Sequence, residues 1–143
     1  MCEKTRVNRA VDYHRAGCNC AQAVACNYCD LVGISRSDMY KMVEGLGRGM
    51  GGYEGTCGAV SAMCILIGLA TSDGSFTVPG KTKDESYDLS REALRLFKDK
   101  NLSVKCRDLK GIDTNCVLRD CDGCIEDACK IVESLVFPEI FGK

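Results

Sequence analysis

Twelve cysteines are the chemically capable residues of this chain, set against a single histidine. Their placement points to sulfur chemistry. Cys57 stands where a glycine run opens into an apolar segment; seven of the fourteen residues from Gly45 to Gly58 are glycine. Glycine at that density suits positive φ or a backbone that must approach something closely. A cysteine at the first turn of the following helix would face unpaired N–H groups and partial positive charge, which favour thiolate over thiol. Cys20 falls one residue past a helix cap and Cys106 at the start of a short helix. Cys129 lies on the apolar stripe of the last helix. Four thiolates drawn from four separate elements could converge as a tetrahedral zinc or an iron–sulfur site requires. Two pairs would instead suit disulfide exchange, and small buried hydrophobes are the plainest reading of any one of them.

The other cysteines form local patterns. Cys18-Asn-Cys20 crosses a helix boundary. Cys26-Asn-Tyr-Cys29 is a C-x-x-C within a helix, without the strand–helix setting of a thioredoxin motif. Cys116, Cys121 and Cys124 reproduce the C-x4-C-x2-C portion of plant-type ferredoxin spacing in a loop, and form a second-choice ligand set. Cys64 lies two turns from Cys57, roughly 10 Å along the helix, and is read as core. His14 occupies an apolar helical face and is read as a packed or hydrogen-bonded core histidine rather than a ligand or base. The glycine run lacks the G-K-[ST] and the preceding strand of a phosphate loop, and the dinucleotide fingerprint fails for the same reason.

Helices must position these groups. Thr5–Ala16 carries Val7, Ala10, Val11 and His14 at i, i+3, i+4 and i+7, and Gly17 ends it. Asn19 caps a second helix over Cys20–Leu31, with Gly33 beyond it. Ser35 caps a short helix over Arg36–Glu44. The glycine loop leads into Cys57–Ala70, apolar nearly all round and therefore the centre of a bundle. A polar stretch from Thr71 precedes an amphipathic helix over Lys83–Lys100. Ser103 caps a short helix through Leu109. Residues Ile112–Gly123 read as irregular, and a stripe from Ile125 to Val136 stops before Pro138. No period-2 run occurs. The expectation is an all-α bundle of five to seven helices, one domain over 1–143, with a Gly-rich loop before the central apolar helix.

The formal net charge of −1 and the lack of a long basic run argue against nucleic acid. The longest apolar run, Ala59–Ala70, is short of the roughly 20 residues a bilayer span needs, so no membrane insertion is expected. Residues 1–6 lack an apolar signal region. The expected compartment is the cytoplasm, where so many cysteines indicate metal binding or redox chemistry. A homo-oligomer stays open.

Gly17-Cys-Asn-Cys-Ala-Gln-Ala-Val24, the glycine run, Thr56-Cys-Gly-Ala59, Cys106-Arg-Asp-Leu109 with Gly111 and Asp113, and Cys129-Lys-Ile-Val132 together resemble the C_GCAxxG_C_C family. These are small redox-active proteins marked by four cysteines and a C-G-A-x-x-G motif. The resemblance covers nearly the whole chain, with Ala62 in place of the motif's last glycine. It implies that the motif cysteines are Cys20, Cys57, Cys106 and Cys129. A similar domain accompanies iron–sulfur-bearing multihaem proteins, although this chain has no C-x-x-C-H for covalent haem. The expected function is a cysteine-ligated iron–sulfur cluster for electron transfer with a redox partner protein, or for redox sensing. Gly51, Gly52, Gly55 and Gly58 would wall the cofactor. One alternative is a thiol–disulfide oxidoreductase with Cys57 as the catalytic group. Another is a structural zinc site or a partner-binding helical protein.

Overall fold

The computed structural model describes residues 4–142. The helices are α1 (Arg6–Arg15), α2 (Cys20–Ala25), α3 (Cys29–Val32), α4 (Arg36–Val43), α5 (Gly47–Met50), α6 (Gly58–Thr71), α7 (Lys83–Asn101), α8 (Cys106–Lys110), α9 (Cys121–Leu135) and α10 (Pro138–Phe141). Among the described residues the only β pairing is an isolated antiparallel bridge between Thr56 and Lys105. The protein is all-α; each expected helix has a counterpart, while α5 and α10 fall outside the expected segments.

Local chemistry sets most boundaries. Thr5 accepts a hydrogen bond from the Asn8 amide at the start of α1. Asn19 and Gln22 form a reciprocal capping box at the start of α2. Ser35 caps α4, and Gly33 and Gly111 end α3 and α8 in left-handed conformation. The second expected helix is interrupted: residues Cys26–Tyr28 form a 3₁₀ turn between α2 and α3.

Three boundaries differ from the sequence reading. Cys57 is the N-cap of α6 rather than a residue of its first turn. Ser103 does not cap α8; its hydroxyl accepts from the Lys105 amide and donates to Asp108, while Lys105 holds the cap position. Helix α9, expected from Ile125, begins at Cys121, because the Asp120 carboxylate accepts from the Gly123 amide 2.7 Å away.

Helix α6 is the centre. Ala59, Val60, Ala62, Met63, Leu66 and Ile67 are fully buried. The helix packs against α2, α7 and α9, while α1 lies along α9. Small residues on α2, Ala21, Ala23 and Ala25, let the axes approach. The functional side chains cluster where the starts of α2, α6, α8 and α9 meet.

Candidate functional site: a cysteine-walled cavity

The glycine run is a device for close approach. In α5, Arg48 and Gly49 both adopt left-handed dihedrals, at φ 55° and 58°. A Cβ on Gly47 would lie 2.5 Å from Asn19 Cγ, and one on Gly49 would lie 2.5 Å from Cys106 Cβ. A Cβ on Gly58 would lie 2.5 Å from Cys20 Sγ. The loop is thus pressed against two cysteines and the cap between them, and Asn19 Nδ2 anchors it by donating to the Glu44 carbonyl at 2.9 Å. Gly51 and Gly52 face open space, and Gly55 packs on Met50. Of the four expected cofactor-walling glycines, Gly58 is the one whose missing Cβ leaves room for a cavity cysteine.

Backbone pairing sets Cys57 beside Cys106. The Cys57 amide donates to Val104 O at 2.7 Å and the Cys106 amide donates to Gly55 O at 3.1 Å, flanking the Thr56–Lys105 bridge. The 112–120 loop is tied back to α8 by the Leu118 and Arg119 amides, which both donate to Leu109 O. Gly111 permits this, since a Cβ there would lie 2.5 Å from Cys116 O. That loop delivers Cys121 and Cys124, whose thiol donates to Arg119 O at 3.8 Å.

The result is a cavity of about 270 Å³ walled by Cys20, Cys57, Cys106, Cys121 and Cys124. Arg48, Lys110 and Arg119 give the wall a cationic character, and His14, Gly17, Asn19 and Leu109 complete it. Cys57 sits between Cys20 and Cys124, close enough to hydrogen-bond with both. Lys110 hydrogen-bonds with Cys121; burial works against its charge, but Cys121, Cys106 and Cys20 outweigh this and its pKa is raised. Arg119 runs from the cavity to the buried Asp127, with Nε 3.2 Å from the carboxylate. His14 Nδ1 lies 2.8 Å from Asp122 Oδ1, so the histidine expected to be packed core is part of the cavity wall.

The acid–base character of Cys57 overturns the expectation of a depressed pKa. Its hydrogen bond with Cys124 and its burial push it up to about 12. The Val60 amide in the first turn of α6 acts in the opposite direction and loses. Cys20 also acts to lower it, and the Cys124 thiol and burial outweigh both. Cys20 is raised by its hydrogen bond with Cys57 and by burial, and Cys106 is raised by burial against the pull of Lys110.

Three of the four motif cysteines inferred from sequence, Cys20, Cys57 and Cys106, meet in the cavity. Cys129 does not line it: it is fully buried, with Tyr28 and Asn27 as its polar neighbours, on another side of α9. Five residues at about 100° each separate it from Cys124 by more than a third of a turn. Of the second-choice loop set, Cys121 and Cys124 are in the wall and Cys116 is exposed. The cationic residues escaped the sequence reading; Asp120 as a cap before an apolar stripe was the available signal for Cys121. Among the described residues no group of three or more His, Cys, Asp or Glu side chains is already gathered around the position of one metal ion.

An all-α scaffold that brings five thiols from four helix starts into one cationic cavity defines a small, sulfur-centred protein. The chain belongs to the C_GCAxxG_C_C family, whose model, described as "Putative redox-active protein (C_GCAxxG_C_C)", matches residues 18–135. Ala62, the departure from the motif, is fully buried in α6. Neither a curated protein nor a solved structure matches the chain significantly. No helix among the described residues is long and apolar enough to cross a membrane.

Proposed function

We propose that the cavity holds a cysteine-ligated iron–sulfur cluster, and that the protein exchanges electrons with a redox partner protein or senses redox state. The observation that carries this reading is the gathering of Cys20, Cys57, Cys106, Cys121 and Cys124 around one cavity of about 270 Å³. The donor set suits the group. Thiolates are the ligands of such clusters, and the glycine backbone clears space against Cys20 and Cys106. Lys110, Arg48 and Arg119 would offset the negative charge of thiolates and sulfides and so tune the potential. When bound, the cluster supplies one-electron chemistry. The chain's own residues hold it, exclude water from it and set its electrostatics. Metal displaces thiol protons, so the raised pKa values make loading proton-coupled.

Anaerobic purification and reconstitution, with iron and acid-labile sulfide analysis beside a visible spectrum, tests this. Brown protein with matched iron and sulfide is expected. Colourless protein without either would overturn the reading, and stoichiometric zinc in its place would make the site structural.

One observation favours a second reading. Cys57 has a second cavity thiol on either side of it, Cys20 and Cys124, as a dithiol that cycles to a disulfide requires. That reading takes Cys57 as the attacking group, and unchanged thiol-exchange activity in Cys57→Ser would remove it.

A further inference from the structure

Cys26 and Cys29 lie outside the cavity and serve none of the roles above. They belong to a C-x-x-C that periodicity alone places on the outer side of a regular helix. The structure breaks that helix at this motif. Residues Cys26–Tyr28 form a 3₁₀ turn, and α3 restarts at Cys29. Cys26 opens the turn and Cys29 follows it, with Tyr28 at φ −124° and ψ 15° resetting the helical phase between them. Three residues at about 2.0 Å rise separate their Cα atoms by about 6 Å, within the range that a disulfide spans.

The sulfurs converge on one spot. Cys26 Sγ lies 3.9 Å from Arg36 O, and Cys29 Sγ lies 4.0 Å from Ser35 O, adjacent carbonyls at the start of α4. Cys29 Sγ also lies 3.8 Å from Ala25 O, the carbonyl just before Cys26. Both residues sit at the margin of the core, 5% and 7% exposed, where a small molecule reaches them more readily than a fully buried pair.

We infer that Cys26 and Cys29 form a second redox site, a dithiol that a low-molecular-weight disulfide oxidises to an intramolecular disulfide. One thiol loses its proton to solvent and attacks the small disulfide, whose S–S bond breaks and releases a thiolate that takes up a proton. The second cysteine, likewise deprotonated, displaces the remaining small thiol from the mixed disulfide. The Cys26–Cys29 bond forms, two electrons and two protons leave the protein, and two small thiols are produced. The site stands apart from the cavity and does not rest on a cluster being bound there.

The full-length protein is equilibrated anaerobically with glutathione and glutathione disulfide over a range of ratios, then denatured, alkylated and digested with trypsin. Residues 16–36 form one tryptic peptide carrying Cys18, Cys20, Cys26 and Cys29. The expected product is that peptide two hydrogen atoms lighter, alkylated at Cys18 and Cys20 only, with no backbone fragments between Cys26 and Cys29. Cys26→Ser is expected to abolish the crosslink and leave glutathione on Cys29. The wild-type measurement stands even if that variant folds poorly. Alkylation of both Cys26 and Cys29 at every ratio, or a link from either to another cysteine, would overturn the assignment. Iron content of the same sample reports on the cavity separately.

Discussion

Gly58 faces Cys20 so closely that a Cβ at that position would lie 2.5 Å from the Cys20 sulfur and 2.9 Å from the Leu46 carbonyl oxygen. The second contact is with backbone, which cannot swing aside as a side chain can. Gly58→Ala is therefore expected to cost about 1–3 kcal/mol, as overpacking of a tight site does, and to lower iron incorporation by displacing the sulfur. Gly49→Ala adds left-handed strain to a clash with Cys106 and should behave similarly. Chemical denaturation and reconstituted iron content check both, and wild-type values would show that the loop does not shape the cavity.

Serine replacements separate the cavity cysteines from the rest. Cys20→Ser, Cys57→Ser, Cys106→Ser, Cys121→Ser and Cys124→Ser are expected to reduce cluster content or shift its visible spectrum. Exposed Cys116→Ser should leave both unchanged, with stability altered by less than about 0.5 kcal/mol. Cys129→Ser should destabilise the fold, because it puts a hydroxyl at a fully buried position, while the protein that folds still binds iron. Iron loss in Cys129→Ser with full retention in Cys121→Ser would move the site to the other side of α9.

The metal-free protein should weaken in alkali. Cys57, raised by the Cys124 thiol beside it, and Cys129, raised by burial, are both pushed up to about 12. A group whose folded pKa lies above its unfolded value stabilises fully below the unfolded pKa, and that stability is lost as pH rises towards the folded one. Urea midpoints should accordingly fall as pH climbs from about 8.5, the free-thiol value, upward. A flat profile there would mean that the thiols are less buried than described. Metal loading should reverse the trend by fixing the thiolates.

Asp127 gives the opposite slope. Burial raises its pKa, but hydrogen bonds from Lys100, Asn101 and Arg119 outweigh this and hold it below the usual carboxylate value. Its contribution is present above the unfolded pKa of about 3.9 and lost as pH falls through the folded one. Asp127→Ala should cost about 1–3 kcal/mol, since it leaves the buried Asn101 amide without its acceptor while Lys100 and Arg119 turn to water. Because Arg119 joins Asp127 to the cavity wall, the variant should also shift the reduction potential of a bound cluster. Equal acid stability of wild type and variant would remove Asp127 from this role.

Much of the scaffold was legible because its signals are local. The periodic stripes of α1, α7 and α9, the all-round apolar run of α6, the caps Asn19 and Ser35, and the glycine stops act within a turn or two of where they are written, whereas the Thr5 cap was read as helix. The break at Cys26–Tyr28 was not legible, because the stripe on the inner face of Cys20–Leu31 runs on through it.

By itself the sequence determined an all-α, cysteine-rich chain of this redox family and set Cys20, Cys57 and Cys106 at helix starts. Only the tertiary structure decided which sulfurs meet. A helical phase says which face of α9 holds Cys129 and which holds Cys124, but not which face turns to the starts of α2, α6 and α8. That follows from the packing of α9 on α1, α2 and α6, from the Thr56–Lys105 bridge, and from the loop bonded back to Leu109. The same long-range contacts brought Arg48, Lys110, Arg119 and His14 to the cavity. They also put Cys57 against Cys124, where burial and a neighbouring thiol override the helix-start charge that the sequence alone suggested.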